Sequence, residues 1–429
     1  MKATVIGAGL AGSEAAYYLA RHGVEVALCE MKPKRFSPAH ESENFCELVC
    51  SNSLKSNDVY GNASGLLKEE MRRLCSITLE AADQTKVPAG GALAVDRAAF
   101  SEYVTRKLRA QKNITIISGE VDTLPDEGIV ATGPLTDGKL YAAIERAFGR
   151  GLHFYDASAP IVSRESIDFS KTFTADRYGR GDGDYINCPL NKEEYELFVK
   201  ELVTAEKATL HAFEKGEIFE GCMPVEVMAS RGKDTLRFGT FKPVGLVDEM
   251  GERPYAILQL RRENSEGTSL GLVGCQTNLK FTEQKRVFSL IPALKNAEFE
   301  RYGVMHRNTF LESPEILNSD FSVKTNPMLF FAGQITGVEG YMESAASGLL
   351  AAIHYLRKLQ KLPPVALQDT CVSGALSQYI STKNSNFQPM NANYGILRPM
   401  SVRDKKEKKR LYAERALEEI ELFKREIGE

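Results

Sequence analysis

At 429 residues with 43% hydrophobic content, the chain is long enough to bury a full core and to form two or three domains. Its 54 Lys and Arg against 57 Asp and Glu leave a formal charge of −3, which excludes a protein that holds nucleic acid by overall basicity; an RNA partner would have to meet a local basic surface. No apolar run approaches the ~20 residues of a membrane span, and the strand-like opening leaves no room for a leader, so a cytoplasmic protein is expected, its eight cysteines reduced.

Residues 3–6 read as a strand, 7–12 as a glycine turn, 13–22 as a helix and 24–30 as a second strand, together a βαβ unit. The turn is Gly7, Ala8, Gly9, Leu10, Ala11, Gly12, a Gly-x-Gly-x-x-Gly pattern placed between strand and helix. Its first glycine permits the tight turn, the second lets backbone approach a pyrophosphate, and the third lets helix pack on strand. The helix N-terminus then faces the phosphates, and Glu30, closing the next strand, can accept from a ribose. Glycine turns also arise for packing alone, so the complete βαβ context carries the reading.

Residues 32–62 are polar, rich in Ser and Asn, and read as a loop whose length suggests function. Helices are expected at 65–74 and at 96–110, the latter capped by Asp96, with strands at 114–117 and 128–131. From about residue 166 the character changes: a helix over 192–214 is followed by strands near 236–241, 256–260 and 270–273. Nucleotide-domain character returns with a strand at 328–331 and a small-residue helix at 344–359. A charged helix closes the chain over 403–427. Its basic start, Lys405 to Arg410, is a candidate RNA contact, although such runs are more often solvated faces.

The strand ending in Ala131, Thr132 and Gly133 resembles the second nucleotide-contacting strand of two-dinucleotide-domain flavoproteins. Gly333, Gln334, Gly337 and Gly340 resemble their flavin-side turn. These pieces favour FAD. No second Gly-x-Gly-x-x-Gly occurs, so a nicotinamide cofactor would visit transiently. The expected fold class is α/β: a Rossmann-type FAD-binding domain, glutathione-reductase-like, formed by residues 1–165 and 326–429, with an inserted α+β domain over 166–325 facing substrate or RNA.

Cys46, Cys50 and Cys222 stand apart among the cysteines. Cys46 and Cys50 have i, i+4 spacing, but no second pair completes a zinc site, and no metal is expected. Cys50 and Cys222 lie in polar or glycine-edged segments where access and a lowered pKa are easier to arrange. Cys29, Cys75, Cys188, Cys275 and Cys371 read as packing residues.

Residues 7–14 (GAGLAGSE), 47–56 (ELVCSNSLKS), 87–97 (VPAGGALAVDR), 220–229 (EGCMPVEVMA), 331–341 (FAGQITGVEGY) and 387–395 (FQPMNANYG) together resemble the TrmFO family, and they span nearly the whole chain in order. The resemblance implies a folate- and FAD-dependent methyltransferase making 5-methyluridine in the tRNA T-loop. The one-carbon donor is 5,10-methylenetetrahydrofolate, FAD is the carrier, and NADH or NADPH is the electron source. It also implies that the Cys222 thiolate adds to uracil C6, making C5 nucleophilic, that Cys50 removes the C5 proton, and that Tyr341 lies beside the flavin. The target uridine would be unstacked or flipped. Cys46 departs from the family pattern and makes a single second cysteine less secure. No obligate protein partner is expected.

Four other readings remain open at this level: a sister enzyme acting on an rRNA uridine by the same chemistry, a GidA-like wobble-uridine enzyme, a small-molecule FAD oxidoreductase, and a non-catalytic flavin-binding RNA chaperone. Length and the 220–229 motif argue against the GidA-like reading.

Overall fold

The structure, a computed structural model, describes residues 1–149, 151–179, 182–208, 217–218, 223–248, 250–385 and 387–429, with the side chains of 154–155, 217–218 and 306–307 left aside. The opening βαβ unit is as expected: strand Lys2–Ile6, helix Leu10–Arg21 and strand Glu25–Glu30, the two strands pairing in parallel. The helix starts earlier than its apolar periodicity implies, because Gly9 already serves as its N-cap.

Six strands form the first sheet in the order Ser322–Val323, Asn326–Phe331, Gly128–Val130, Lys2–Ile6, Glu25–Glu30, Ile114–Ser118. All neighbours pair in parallel except the first two. Strand Gly128–Val130 thus lies between the strand that precedes Gly7 and the strand that precedes Gly333. Ligands of such sheets bind outside the carboxyl ends of the strands, where the order reverses. Three motifs far apart in sequence therefore end side by side, tied by Ala131 N donating to Ile6 O at 2.8 Å and Ala332 N donating to Val130 O at 3.0 Å.

The second sheet is antiparallel, in the order Phe173–Thr174, Ile186–Leu190, Ala256–Arg262, Ser269–Leu272, Ile161–Ser163, Phe299–Arg301. It has its own apolar core, with Tyr195, Phe198, Phe241 and Phe288 buried against it. The core of the parallel sheet draws on both ends of the chain, from Ala3 to Ile144 and from Phe310 to Phe423. The fold is α/β with a Rossmann-type parallel sheet.

Three elements differ from the sequence expectation. The helix over 192–214 ends at Thr204, where Ala205 turns extended. There the chain leaves to pair with the segment after strand Ser269–Leu272: Lys207 bridges Leu279, and Ala208 N donates to Asn278 O at 2.7 Å. Residues 209–216 lie outside the described set. Residues 236–241 overlap a helical turn, Thr235–Phe238, rather than a strand; the turn buries Leu236 and leaves Phe238 outward, and Phe241 is buried beyond it. The 32–62 loop carries a strand, Ser53–Ser56, which pairs with Ala92–Val95.

Candidate active site

Gly7 has φ +96°, and a Cβ there would lie 2.5 Å from Ala131 O. At Gly12 a Cβ would lie 1.8 Å from Gly7 O, so helix Leu10–Arg21 could not approach the turn. At Gly9 nothing lies within 4 Å of the added atom. Two of the glycines thus satisfy packing, and the third opens space at the helix N-terminus, where free N–H groups and the dipole favour an anion. A second helix, Tyr341–Leu359, lies against the first; Gly348 permits this, since a Cβ there would meet Ala11 O at 2.1 Å.

A cleft opens at this junction. Its wall includes Gly7, Ala8, Gly9, Leu10, Ala11, Glu30, Ala131, Thr132, Gly133, Gly333, Gln334 and Tyr341. A neighbouring cleft shares Gly7, Glu30, Met31, Thr132 and Leu135 with it and runs on to Arg35, Glu120 and Asp137. Together they form an extended trough with the glycine turn in the middle, which fits a dinucleotide such as FAD. The Glu30 carboxylate accepts from Ala8 N at 2.8 Å and Lys32 N at 3.0 Å. These bonds fix it at the trough while leaving lone pairs for a ribose hydroxyl.

Other expected site residues fall elsewhere. Gly12 lies beneath the cleft. Gly337, at φ +86°, packs against the Phe387 ring, and Gly340, at φ +118°, caps helix Tyr341–Leu359. The Gln334 amide donates to Glu339, whose carboxyl burial pushes up to about 8, with Asp156 adding to the effect. Cys222 lies outside the described residues.

Cys50 and Tyr341 meet directly. Tyr341 Oη accepts from Cys50 N at 2.9 Å and Ser51 N at 3.3 Å and lies 3.0 Å from Cys50 Sγ. Burial, then the adjacent Cys50 sulfur, hold the phenol well above the usual tyrosine range, so it stays protonated and can donate to the sulfur. The expected lowering of the Cys50 pKa is corrected: burial pushes its thiol up to about 12, Asp156 and Glu339 add to this, and Tyr341 and Arg97 oppose it. A polar sequence context does not ensure solvent, because the loop folds beneath Tyr341. Cys46 is buried beside the cleft, its thiol likewise pushed up to about 12 by burial. Cys75, expected to pack, is exposed at φ +57°, because it leaves helix Ala63–Arg73 in a left-handed turn.

Sequence reasoning missed Met31, Lys32, His40 and Val49 on the cleft wall. Lys32 is the informative one: it is 6% exposed, and its Nζ donates to Ser42 O at 3.0 Å and to Asn44 O, tying the polar loop over the trough. A lysine two residues after the strand-closing Glu30, at the start of a long loop, was the available signal.

The family model described as GIDA, Glucose inhibited division protein A, matches residues 2–363. A protein of Acetivibrio thermocellus named methylenetetrahydrofolate–tRNA-(uracil-5-)-methyltransferase TrmFO is 58% identical, covering 96% of each chain. The chain belongs to the TrmFO family. A TrmFO of Lactobacillus acidophilus is 51% identical over 99% of this chain and 98% of its own. Among solved structures, Aquifex aeolicus GidA matches with a TM-score of 0.73 at 18% identity, covering 100% of this chain and 74% of that one, which places TrmFO and GidA on one fold.

Proposed function

We propose that the protein methylates C5 of the T-loop uridine of tRNA, with 5,10-methylenetetrahydrofolate as the one-carbon donor, FAD as carrier and reductant, and NADH or NADPH as electron source. The observation that carries this reading is the near-full-length similarity, above half identity, to proteins named for that activity. The trough supports FAD as the resident group, held by the Gly7–Gly12 turn, Glu30, residues 131–133 and the Gly333 turn. When bound, it supplies the redox chemistry that turns a transferred one-carbon unit into a methyl group. No described helix is long and apolar enough to cross a membrane, which agrees with work in the cytoplasm.

The residue roles follow from chemistry. Uracil C5 is a poor nucleophile until a thiolate adds at C6, and Cys222 is proposed for that step. Cys50 is proposed to take the C5 proton. At neutral pH its thiol is protonated in this state, so it has to lose its own proton first; the Tyr341 hydroxyl and Arg97 are the neighbours that favour the anion. Tyr341 also fixes the backbone of the Cys50 loop. The division into 1–165, 166–325 and 326–429 is proposed as the working organisation; two separate apolar cores support a division, although Phe310 to Val323 pack in the first core and Val162 in the second.

Cys222→Ala should keep its bound flavin spectrum and lose methylation by a factor of ~10³ or more, as expected for removal of a covalent nucleophile. Full activity, or loss of flavin, would remove Cys222 from this role.

A further inference from the structure

Residues 48–52, which carry Cys50, are irregular chain held by the partly buried Arg97 and the buried Arg261. Arg97 opens helix Arg97–Arg109 and donates from Nη1 to Leu48 O at 2.9 Å and Val49 O at 3.4 Å, and from Nε to Glu263 Oε2 at 2.8 Å. Arg261, in strand Ala256–Arg262, donates from Nε to Asn52 Oδ1 at 2.9 Å and from Nη2 to Ser51 Oγ at 3.0 Å. Glu263 Oε1 is 4.0 Å from Arg261 Nη2, so one buried carboxylate serves two guanidinium groups.

We propose that the Arg97–Glu263 ion pair is the positioning device of Cys50, Arg97 holding its loop and supplying the cation that favours the thiolate, and Glu263 orienting that guanidinium and tempering its charge. The proposal rests on the reading of Cys50 as a reacting group. A planar guanidinium can aim one edge at backbone carbonyls and another at a carboxylate, which a lysine ammonium cannot do with the same geometry. The groups facing Cys50 are Tyr341 from the flavin-side helix, Asp156 from strand Leu152–Ala157, Glu339 from the turn before Tyr341, and Arg97. The two carboxyl groups disfavour a second negative charge, and Arg97 is the cation set against them. At a buried site a unit charge a few ångströms away changes an ionisation by about tenfold or more. The ion pair also joins the two cores: Arg97 stands on the parallel-sheet side, and Glu263 directly follows a strand of the antiparallel sheet.

Thiol alkylation tests this, because only the thiolate reacts. FAD-loaded protein is treated with iodoacetamide between pH 7 and 9.5, and Cys50 modification is followed by peptide mass spectrometry with the exposed Cys75 as internal reference. Arg97→Gln should slow Cys50 relative to Cys75 by about tenfold, and Glu263→Gln should speed it by about threefold. Arg97→Lys, which keeps the charge, should stay within about threefold of the unsubstituted protein. The opposite signs are the diagnostic. A loop merely loosened by either change would react faster in both variants, and that result, like no change in either, would overturn the proposal. Flavin absorbance reports folding, and should Arg97→Gln fail to fold, Glu263→Gln and Arg97→Lys still decide: a slower Glu263→Gln, or an Arg97→Lys slowed about tenfold, overturns it. A Cys50→Ser variant with normal methylation would instead remove the reading of Cys50 as a reacting group while leaving the alkylation result standing.

Discussion

Gly9 and Gly12 belong to one motif and do different physical work. A methyl group at Gly12 collides with Gly7 O, whereas one at Gly9 meets no protein atom and enters the space left for a pyrophosphate. Gly9→Ala should therefore fold with an unchanged thermal midpoint yet purify with at least tenfold less flavin, while Gly12→Ala should lose both flavin and stability. Flavin absorbance per protein and calorimetry check the pair; equal flavin in Gly9→Ala would contradict the placement. The glycine turn was legible because its spacing encodes backbone approach. The raised Cys50 thiol was not, since its cause is burial, which comes from the fold of the loop beneath a residue far along the chain. Cys75 was misread for the same reason: a left-handed turn after a helix, rather than a motif, decides its exposure.

At the scale of elements, helix Ala63–Arg73 carries Lys68 fully buried, its Nζ donating to Leu54 O at 2.7 Å, Ser64 O at 2.9 Å and Ser64 Oγ at 3.1 Å. Burial lowers its pKa to about 7. The unfolded chain holds that proton up to about pH 10.4. Between these values the unfolded state binds more protons, so stability rises with pH across the window, and the penalty is fully present below pH 7. Lys68→Met should accordingly gain most over the unsubstituted protein at pH 6 and least near pH 10. Parallel thermal midpoints across that range would contradict the assignment. Local pattern located six helices, because caps such as Asp96, whose Oδ1 accepts from Ala99 N at 3.0 Å, act within one turn, and passed over others such as Ile77–Gln84 and Gly138–Phe148. It failed at residues 205 and 236–241, where partners distant in sequence decide the conformation. The basic start of helix Lys405–Ile427 is also less free than its sequence suggests: Arg410 pairs with Glu407 and Glu414, and Lys409 Nζ donates to Gly61 O at 3.0 Å.

Across the whole molecule, the Cys50 loop is where the two cores meet. Asn52 is fully buried, and its amide donates to Val95 O at 3.0 Å and Arg262 O at 2.8 Å while its oxygen accepts from Arg261. Nearby, Asp96 Oδ2 accepts from Ser265 N at 2.9 Å. Asn52→Ala should cost about 2 kcal/mol or more, because each buried partner left unsatisfied costs ~1–3 kcal/mol. Urea denaturation checks this, and a loss under about 0.5 kcal/mol would mean that water replaces the amide. The change of pattern near residue 166 falls close to Val162, the first residue of the second core, but the junction was not legible, since Asn52 and Arg261 carry no local sign of each other. The reaction at tRNA is tested by offering the purified protein a labelled one-carbon unit on methylenetetrahydrofolate with NAD(P)H, an unmodified tRNA transcript and an rRNA fragment side by side, followed by digestion and mass spectrometry. Labelled 5-methyluridine should be confined to the tRNA T-loop; label in the rRNA fragment alone, or in neither RNA, would rule out a T-loop methyltransferase.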